Sequence, residues 1–183
     1  MKVEESHIEG LLVITPDVFK DDRGYFFESF NKDNFNKLGL PTNFVQDNES
    51  KSQRGVIRGL HFQAPPMAQG KLVRVIKGSV MDVAVDIRKG SPTYGKWHSV
   101  LLTDENKKLF WIPPGFAHGF QTLEDETIFS YKCTGTYNKG SEGSLFWNDP
   151  SIGINWDFSI KPIVSEKDGV YSLLSDLESP FIY

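Results

Sequence analysis

Short runs of β-branched and aromatic residues follow one another along this chain, and turn residues cut off each of them. LLVITP precedes KDDRG, and GYFFESF follows it; GVIRGLHFQ precedes APPMAQG. Then come KLVRVIKG, SVMDVAVDI, KGSPTYG, KWHSVLLT, DENKK, LFWIPPG, HGFQTL, EDE and TIFSYKCTGTY. Runs this short, punctuated this regularly, predict an all-β sandwich or barrel. The cleanest strand spans Val80 to Ile87. Met81, Val83, Val85 and Ile87 point one way and Asp82, Ala84 and Asp86 the other, which is period two with one buried face. Two short helices interrupt the pattern. One runs roughly from Lys32 to Leu38, with Asn31 as N-cap and Gly39 at its end. The other is a short piece after Ser165.

No low-complexity stretch, charge block or repeat divides the chain, so its 183 residues read as a single domain, 1–183, long enough to bury a core. An apolar fraction of 39% and a net charge of -4 suit a globular protein and give no reason to expect a nucleic-acid partner. One cysteine, Cys133, leaves no intrachain disulfide and fits a reducing compartment. The start MKVEESHIEG lacks the apolar stretch of a signal peptide. No apolar run approaches the roughly 18 residues of a membrane span. A cytoplasmic protein without a membrane partner is expected.

RGVIRGLHFQAPP (Arg54 to Pro66) poses the functional question, because a core-seeking strand here carries Arg58 and His61. Of the four histidines, His7 and His98 sit among polar neighbours and read as exposed. His61 and His118 lie in apolar strand contexts beside Gly-Pro turns. Each alone fits a histidine bonded to backbone; the two together, near several cations, suggest a site. WIPPGFAHGF contains Pro-x-Gly-x-x-His at Pro113, Gly115 and His118. Proline and glycine make the tight turn, and the histidine opens the next strand, able to point into a barrel. This resembles the second motif of the cupins, a jelly-roll superfamily. Cupins that bind a metal carry His-x-His in the first motif. Here that place reads His61-Phe62-Gln63, and glutamine is a poor transition-metal ligand, so no metal site is expected.

Arg23, Arg58, Lys71, Arg74 and Lys167 gather near these motifs. Most such cations are solvated surface, but Arg23 and Arg58 each abut a glycine inside an aromatic or apolar segment. Planar guanidinium groups suit a phosphate or diphosphate. No Walker or Rossmann glycine loop is present, so any nucleotide would be held by side chains. Tyr131 fits either a core tyrosine or a site residue. Asp168 fits either a cap on a turn begun by Ser165 or a partner for a histidine.

VQDNESKSQRGVIRGLHFQ, GKLVRVIKGSVMDVAVDIRKGSPTYGKW, FWIPPGFAHGF, SYKCTGTY, WNDPSIGINW and VSEKDG together resemble the dTDP-4-dehydrorhamnose 3,5-epimerases, in order and over roughly Gly10 to Gly169. The resemblance implies a cupin jelly roll, a homodimer, no metal or organic cofactor, and a dTDP-4-dehydro-6-deoxy-D-glucose substrate. It implies His61 as general base supported by Asp168, Tyr131 as acid on the other face of the sugar, and Lys71 on the enolate oxygen. It places Arg23, Glu28, Gln46, Asn48, Arg58, Lys71, His118, Glu142 and Lys167 where the family holds substrate. Phe26 and Tyr137 are the aromatic residues expected to stack on the thymine.

The chain departs from the family pattern in one loop. Tyr-Tyr-Ala-Pro-Glu-His-Glu is common after the Cys-Thr pair; here Thr136-Tyr137-Asn138-Lys139-Gly140-Ser141-Glu142 stands. That change bears on nucleotide selectivity and on how many centres are inverted. A single-centre epimerase, a ketoisomerase on a related sugar nucleotide, and a non-catalytic sugar-nucleotide binder are the alternatives. Tyr131 favours epimerisation involving C5. Arg58 and His61 raise a geometric tension: three residues apart, they face opposite sides of a regular strand unless Gly59 allows a bulge.

Overall fold

The computed structural model describes residues 1–170 and 172–183. Its strands are β1 (Lys2–Glu5), β2 (Leu12–Thr15), β3 (Phe19–Asp21), β4 (Gly24–Phe26), β5 (Gln46–Ser52), β6 (Val56–Gln63) and β7 (Lys71–Lys77). They continue as β8 (Ser79–Asp86), β9 (Trp97–Thr103), β10 (Leu109–Ile112), β11 (Phe116–Thr122), β12 (Thr127–Cys133), β13 (Glu142–Ser144) and β14 (Ile163–Val164). Two sheets face each other. One has the order β1-β2-β10-β7-β12-β5; the other has β13-β6-β11-β8-β9, with β14 added parallel to β6. β3 and β4 pair only with each other as a hairpin.

The core lies between the sheets. Val73, Val75, Phe110 and Phe129 from the first sheet pack with Val80, Ala84, Leu102 and Phe120 from the second. Phe129 and Phe120 stack with ring centroids 4.3 Å apart. Each such buried Val, Leu or Phe side chain stabilises the fold by roughly 1.5–3 kcal/mol through removal from water.

Val80 to Ile87 alternates as expected, but both faces are buried. Val83, Val85 and Ile87 pack on the outer side against Leu145, Ile154, Trp156 and Phe181, from segments that cross the sheet. The inner side carries Val80, Asp82 and Ala84, and both Asp82 and Asp86 are fully buried. Period two reveals a strand, not what lies over each face.

Helix α1 (Lys32–Lys37) forms as expected. Asn31 caps it by accepting from the Asp33 and Asn34 amides, Phe35 is its buried anchor, and Gly39 follows with φ +67°. The expected helix after Ser165 is one turn only: the Gly169 amide bonds Ser165 O at 3.0 Å, and the chain does not continue helically. His7 is exposed, whereas His98 is half-buried against Phe110, centroids 6.0 Å apart. No described helix is long and apolar enough to cross a membrane.

Candidate active site

Strand β6 carries the answer to the Arg58–His61 tension. Opposite it on β11, Phe120 pairs with Arg58 and His118 with His61, so three steps on β6 match two on β11. This is a β-bulge. Gly59 makes it with φ +128°, and a Cβ there would lie 2.5 Å from Gly119 Cα. Leu60, the extra residue, bonds to the Leu145 backbone in both directions, at 2.9 and 3.3 Å. Ile57, Leu60 and Phe62 therefore anchor outward in the apolar layer. Arg58 and His61 both turn to one cavity, of about 270 Å³.

His61 Nε2 sits 2.5 Å from Asp168 Oδ1, and Asp168 is 7% exposed. The turn that was read as a possible cap does both jobs: the Asp168 amide donates to Ser165 Oγ at 3.2 Å while its carboxylate meets the histidine. Burial pushes the Asp168 carboxyl up, but the hydrogen bond and charge of His61, with Ser165 and Lys167, outweigh it and hold the group below the ordinary aspartate range. An ionised carboxylate accepts Nε2–H and leaves Nδ1 free to take a proton.

Lys71 and Tyr131 reach the same cavity from the opposite sheet, on β7 and β12. Their strands are neighbours, with Cys133 opposite Lys71 and Tyr131 opposite Val73. Burial pulls the Lys71 ammonium down, while Cys133, Asp82 and Glu142 pull it up. Burial, then Cys133, pushes the Tyr131 phenol up, so it keeps its proton at neutral pH. His61 on one sheet and Tyr131 and Lys71 on the other thus face one space.

His118 is buried beside them. Its Nε2 is 2.9 and 3.0 Å from the two oxygens of Asp82. Burial depresses the imidazole below the usual histidine range, against the pull of Asp82. A neutral ring that donates Nε2–H to Asp82 has Nδ1 left as an acceptor. Asp82 was invisible as a site residue because it alternates like any polar strand residue.

A second cavity of about 330 Å³ shares His61, Lys71 and Tyr131 and extends to Gln46, Asn48, Tyr137 and Glu142. Tyr137 donates its hydroxyl to Glu142 Oε2 at 3.1 Å, and Lys167 pairs with Glu142 Oε1 at 2.5 Å. Glu142 survives the altered loop because a short turn capped by Asn138 (Lys139–Ser141) delivers the chain into β13, where Glu142 pairs with Gln63. Gln63 is itself committed at both ends of its amide, to Met67 O, Thr136 O and the Asn138 amide. Among the described residues, no three His, Cys, Asp or Glu side chains converge as metal ligands would.

Three expected substrate contacts are not brought here. Arg23 and Phe26 stand on the β3–β4 hairpin, exposed, with Arg23 paired to Asp21. Glu28 accepts from Asn31 and Asn34 at the start of α1. The hairpin pairs with neither large sheet, and among the described residues no strand pairing carries it to the cavity. Arg74 faces Phe27, with 5.8 Å from its guanidinium carbon to the ring centroid, in a pocket on the other side of Tyr131's sheet. Ser50 was missed. It lines the cavity, and its buried hydroxyl has no hydrogen-bond partner among the described residues. The signal was present: β5, QDNESKS, alternates polar against polar, because its inner side lines the cavity and its outer side meets water.

The family model of dTDP-4-dehydrorhamnose 3,5-epimerase matches residues 5–176. The chain belongs to this family. It is 54% identical to the dTDP-4-dehydrorhamnose 3,5-epimerase of Salmonella typhimurium over 175 residues, 95% of this chain and 96% of that one. The crystal structure of the dTDP-4-dehydrorhamnose 3,5-epimerase from Elizabethkingia anophelis NUHP1 superposes with a TM-score of 0.91 at 46% identity, covering 98% of this chain and 99% of the other. The dTDP-6-deoxy-D-glucose-3,5-epimerase of Legionella pneumophila, in complex with dTDP-4-keto-L-rhamnose, superposes at 0.92 with 47% identity, over 97% and 94% of the two chains. The epimerase-family likeness bears out the expected fold class: the facing sheets are a cupin-type jelly roll.

Proposed function

We propose that the chain inverts C3 and C5 of dTDP-4-dehydro-6-deoxy-D-glucose, giving dTDP-4-dehydro-L-rhamnose. The observation that carries this reading is the His61–Asp168 pair facing Lys71 and Tyr131 across one cavity. The C4 ketone acidifies the protons on C3 and C5. His61 takes one of them, and the electron pair moves onto the C4 oxygen as an enolate. Lys71 stabilises that oxyanion in a space shielded from bulk water. Tyr131 returns a proton to carbon from the opposite face, and His61 passes its proton to solvent, from which Tyr131 is restored. Oxidation state is unchanged, so proton transfers alone complete the reaction. Asp168 fixes the ring and stabilises the imidazolium. Arg58 and Lys167 at the rim take the diphosphate, His118 and Asn48 contact the sugar, and Tyr137 stacks on the base.

Arg23, Phe26 and Glu28 fit this reading only if they serve the cavity of a second copy. The hairpin leaves Phe19, Tyr25 and Phe26 each more than half exposed, at 65%, 56% and 66%, which supports a homodimer that covers them.

Turnover in heavy water tests the reading. Label at both C3 and C5, absent in His61→Ala, is expected. Label at one carbon would make the chain a single-centre epimerase. Binding without label or rearrangement would leave a sugar-nucleotide binder.

A further inference from the structure

Tyr137 is 54% exposed, and among the described residues its hydroxyl bonds to Glu142 alone, so packing does not hold it. Its backbone is held instead. Gln69 donates Nε2–H to Gly135 O at 2.6 Å. Gln63 donates to Thr136 O at 3.2 Å and accepts the Asn138 amide on Oε1 at 2.6 Å. Gln46 accepts the Tyr137 amide at 2.9 Å, while its own Nε2 donates to Asn48. Three glutamine side chains from three segments thus grip four consecutive residues, Gly135 to Asn138, at the entry to the loop that departs from the family pattern.

We propose that Gln63 and Gln69 are positioning residues that aim Tyr137 at the nucleoside end of the cavity. The inference rests on the proposed function, which makes that end a nucleotide site. The chemistry favours amides. Gln63 uses donor and acceptor together, donating also to Met67 O at 2.7 Å, and a carboxamide offers two donors and an acceptor from one planar group. Gln63 is 5% exposed, and a replacement lacking these groups releases Met67 O, Thr136 O and the Asn138 amide together. The grip acts on backbone, which explains how Asn138, Lys139, Gly140 and Ser141 can differ from the family while Tyr137 and Glu142 keep their places. It also ties the loop to the strand that carries His61, two residues from Gln63, so the nucleoside end and the reacting end share one rigid support.

Gln63→Met and Gln69→Met test the proposal, each alone and combined with Tyr137→Ala. Expected are a KM for the sugar nucleotide and a Kd for free dTDP raised about tenfold, with kcat within about twofold, because the proton-transfer groups are untouched. In the Tyr137→Ala background the same changes should add little, since residues acting through one another are not additive. A merely structural glutamine would lower Tm and leave this split unmoved. Unchanged KM and Kd in both variants, a fall in kcat alone, or the full loss repeated without Tyr137 would overturn the proposal. Gln69 lies outside the strands, so Gln69→Met carries the test if Gln63→Met does not fold. Wild-type protein that neither binds dTDP nor exchanges deuterium would refute the function itself; active wild type with unaltered variants would refute only this role of the glutamines.

Discussion

His61 Nε2 and Asp168 Oδ1 stand 2.5 Å apart although 107 positions separate them in sequence. β6 brings the histidine and a turn after β14 brings the aspartate, and the two strands pair in parallel through Val56–Ile163 and Ile57–Val164. The contact therefore depends on a two-residue strand that nothing in the local sequence advertises.

Asp168→Asn keeps the shape of this contact and removes its charge. The imidazolium loses its stabiliser, and the asparagine amide can turn a donor toward Nε2 and favour the wrong tautomer. A fall in kcat of roughly 10²-fold or more is expected, with KM little changed, read from the initial rate of deuterium incorporation.

Tyr131→Phe removes only the hydroxyl proposed as the acid. Proton abstraction by His61 remains, so solvent deuterium should still enter the sugar from the face of the base. Inversion involving C5 should fall by roughly 10²-fold or more. NMR of the product separates exchange with retention from exchange with inversion; full inversion in the variant would remove Tyr131 from the mechanism.

Lys71→Met takes away, at nearly constant length, the group proposed to stabilise the enolate oxygen. Loss of one oxyanion donor in a buried site lowers kcat by roughly 10²–10³-fold. Binding of free dTDP, which has no ketone, should change far less, and calorimetric titration measures that directly.

Gly59→Ala meets the φ of +128° and the 2.5 Å approach to Gly119 Cα together. Backbone strain of about 1–3 kcal/mol is expected, with more from the clash. Urea unfolding should show a lower midpoint, and any folded fraction should lose activity because Arg58 and His61 no longer face one side.

Stability should fall in acid. Burial pushes Asp86 and Asp168 up, yet hydrogen bonds from Arg88, Ser91 and Thr93 to the first, and His61 to the second, leave both below the ordinary aspartate range. A carboxyl depressed in the folded state contributes stability that is complete above its unfolded pKa and is lost as pH falls through the folded one. The urea midpoint should therefore drop from about pH 4 downward. Asp86→Asn should start less stable and show a shallower drop over the same range.

Much of this protein can be read in local sequence. Strand runs ended by turn residues announce an all-β fold, Asn31 and Gly39 bound a helix, and Pro113 with Gly115 announce the turn before His118. These features depend on neighbours: φ preference, side-chain alternation and capping act within a few residues. The family's motifs also marked His61, Lys71, Tyr131 and Asp168 before any geometry was known. Other features were decided only by distant pairings. The second face of β8 is buried because segments from Leu145 onward cross it, and β5 is a strand because β12 lies beside it. Arg58 and His61 share a side because Gly59 and Gly119 touch backbone to backbone, an approach that two glycines permit and that only the β6–β11 register brings about. Arg23, Phe26 and Glu28 lie away from the cavity for the converse reason: their hairpin makes its hydrogen bonds within itself, and no ladder ties it to either large sheet.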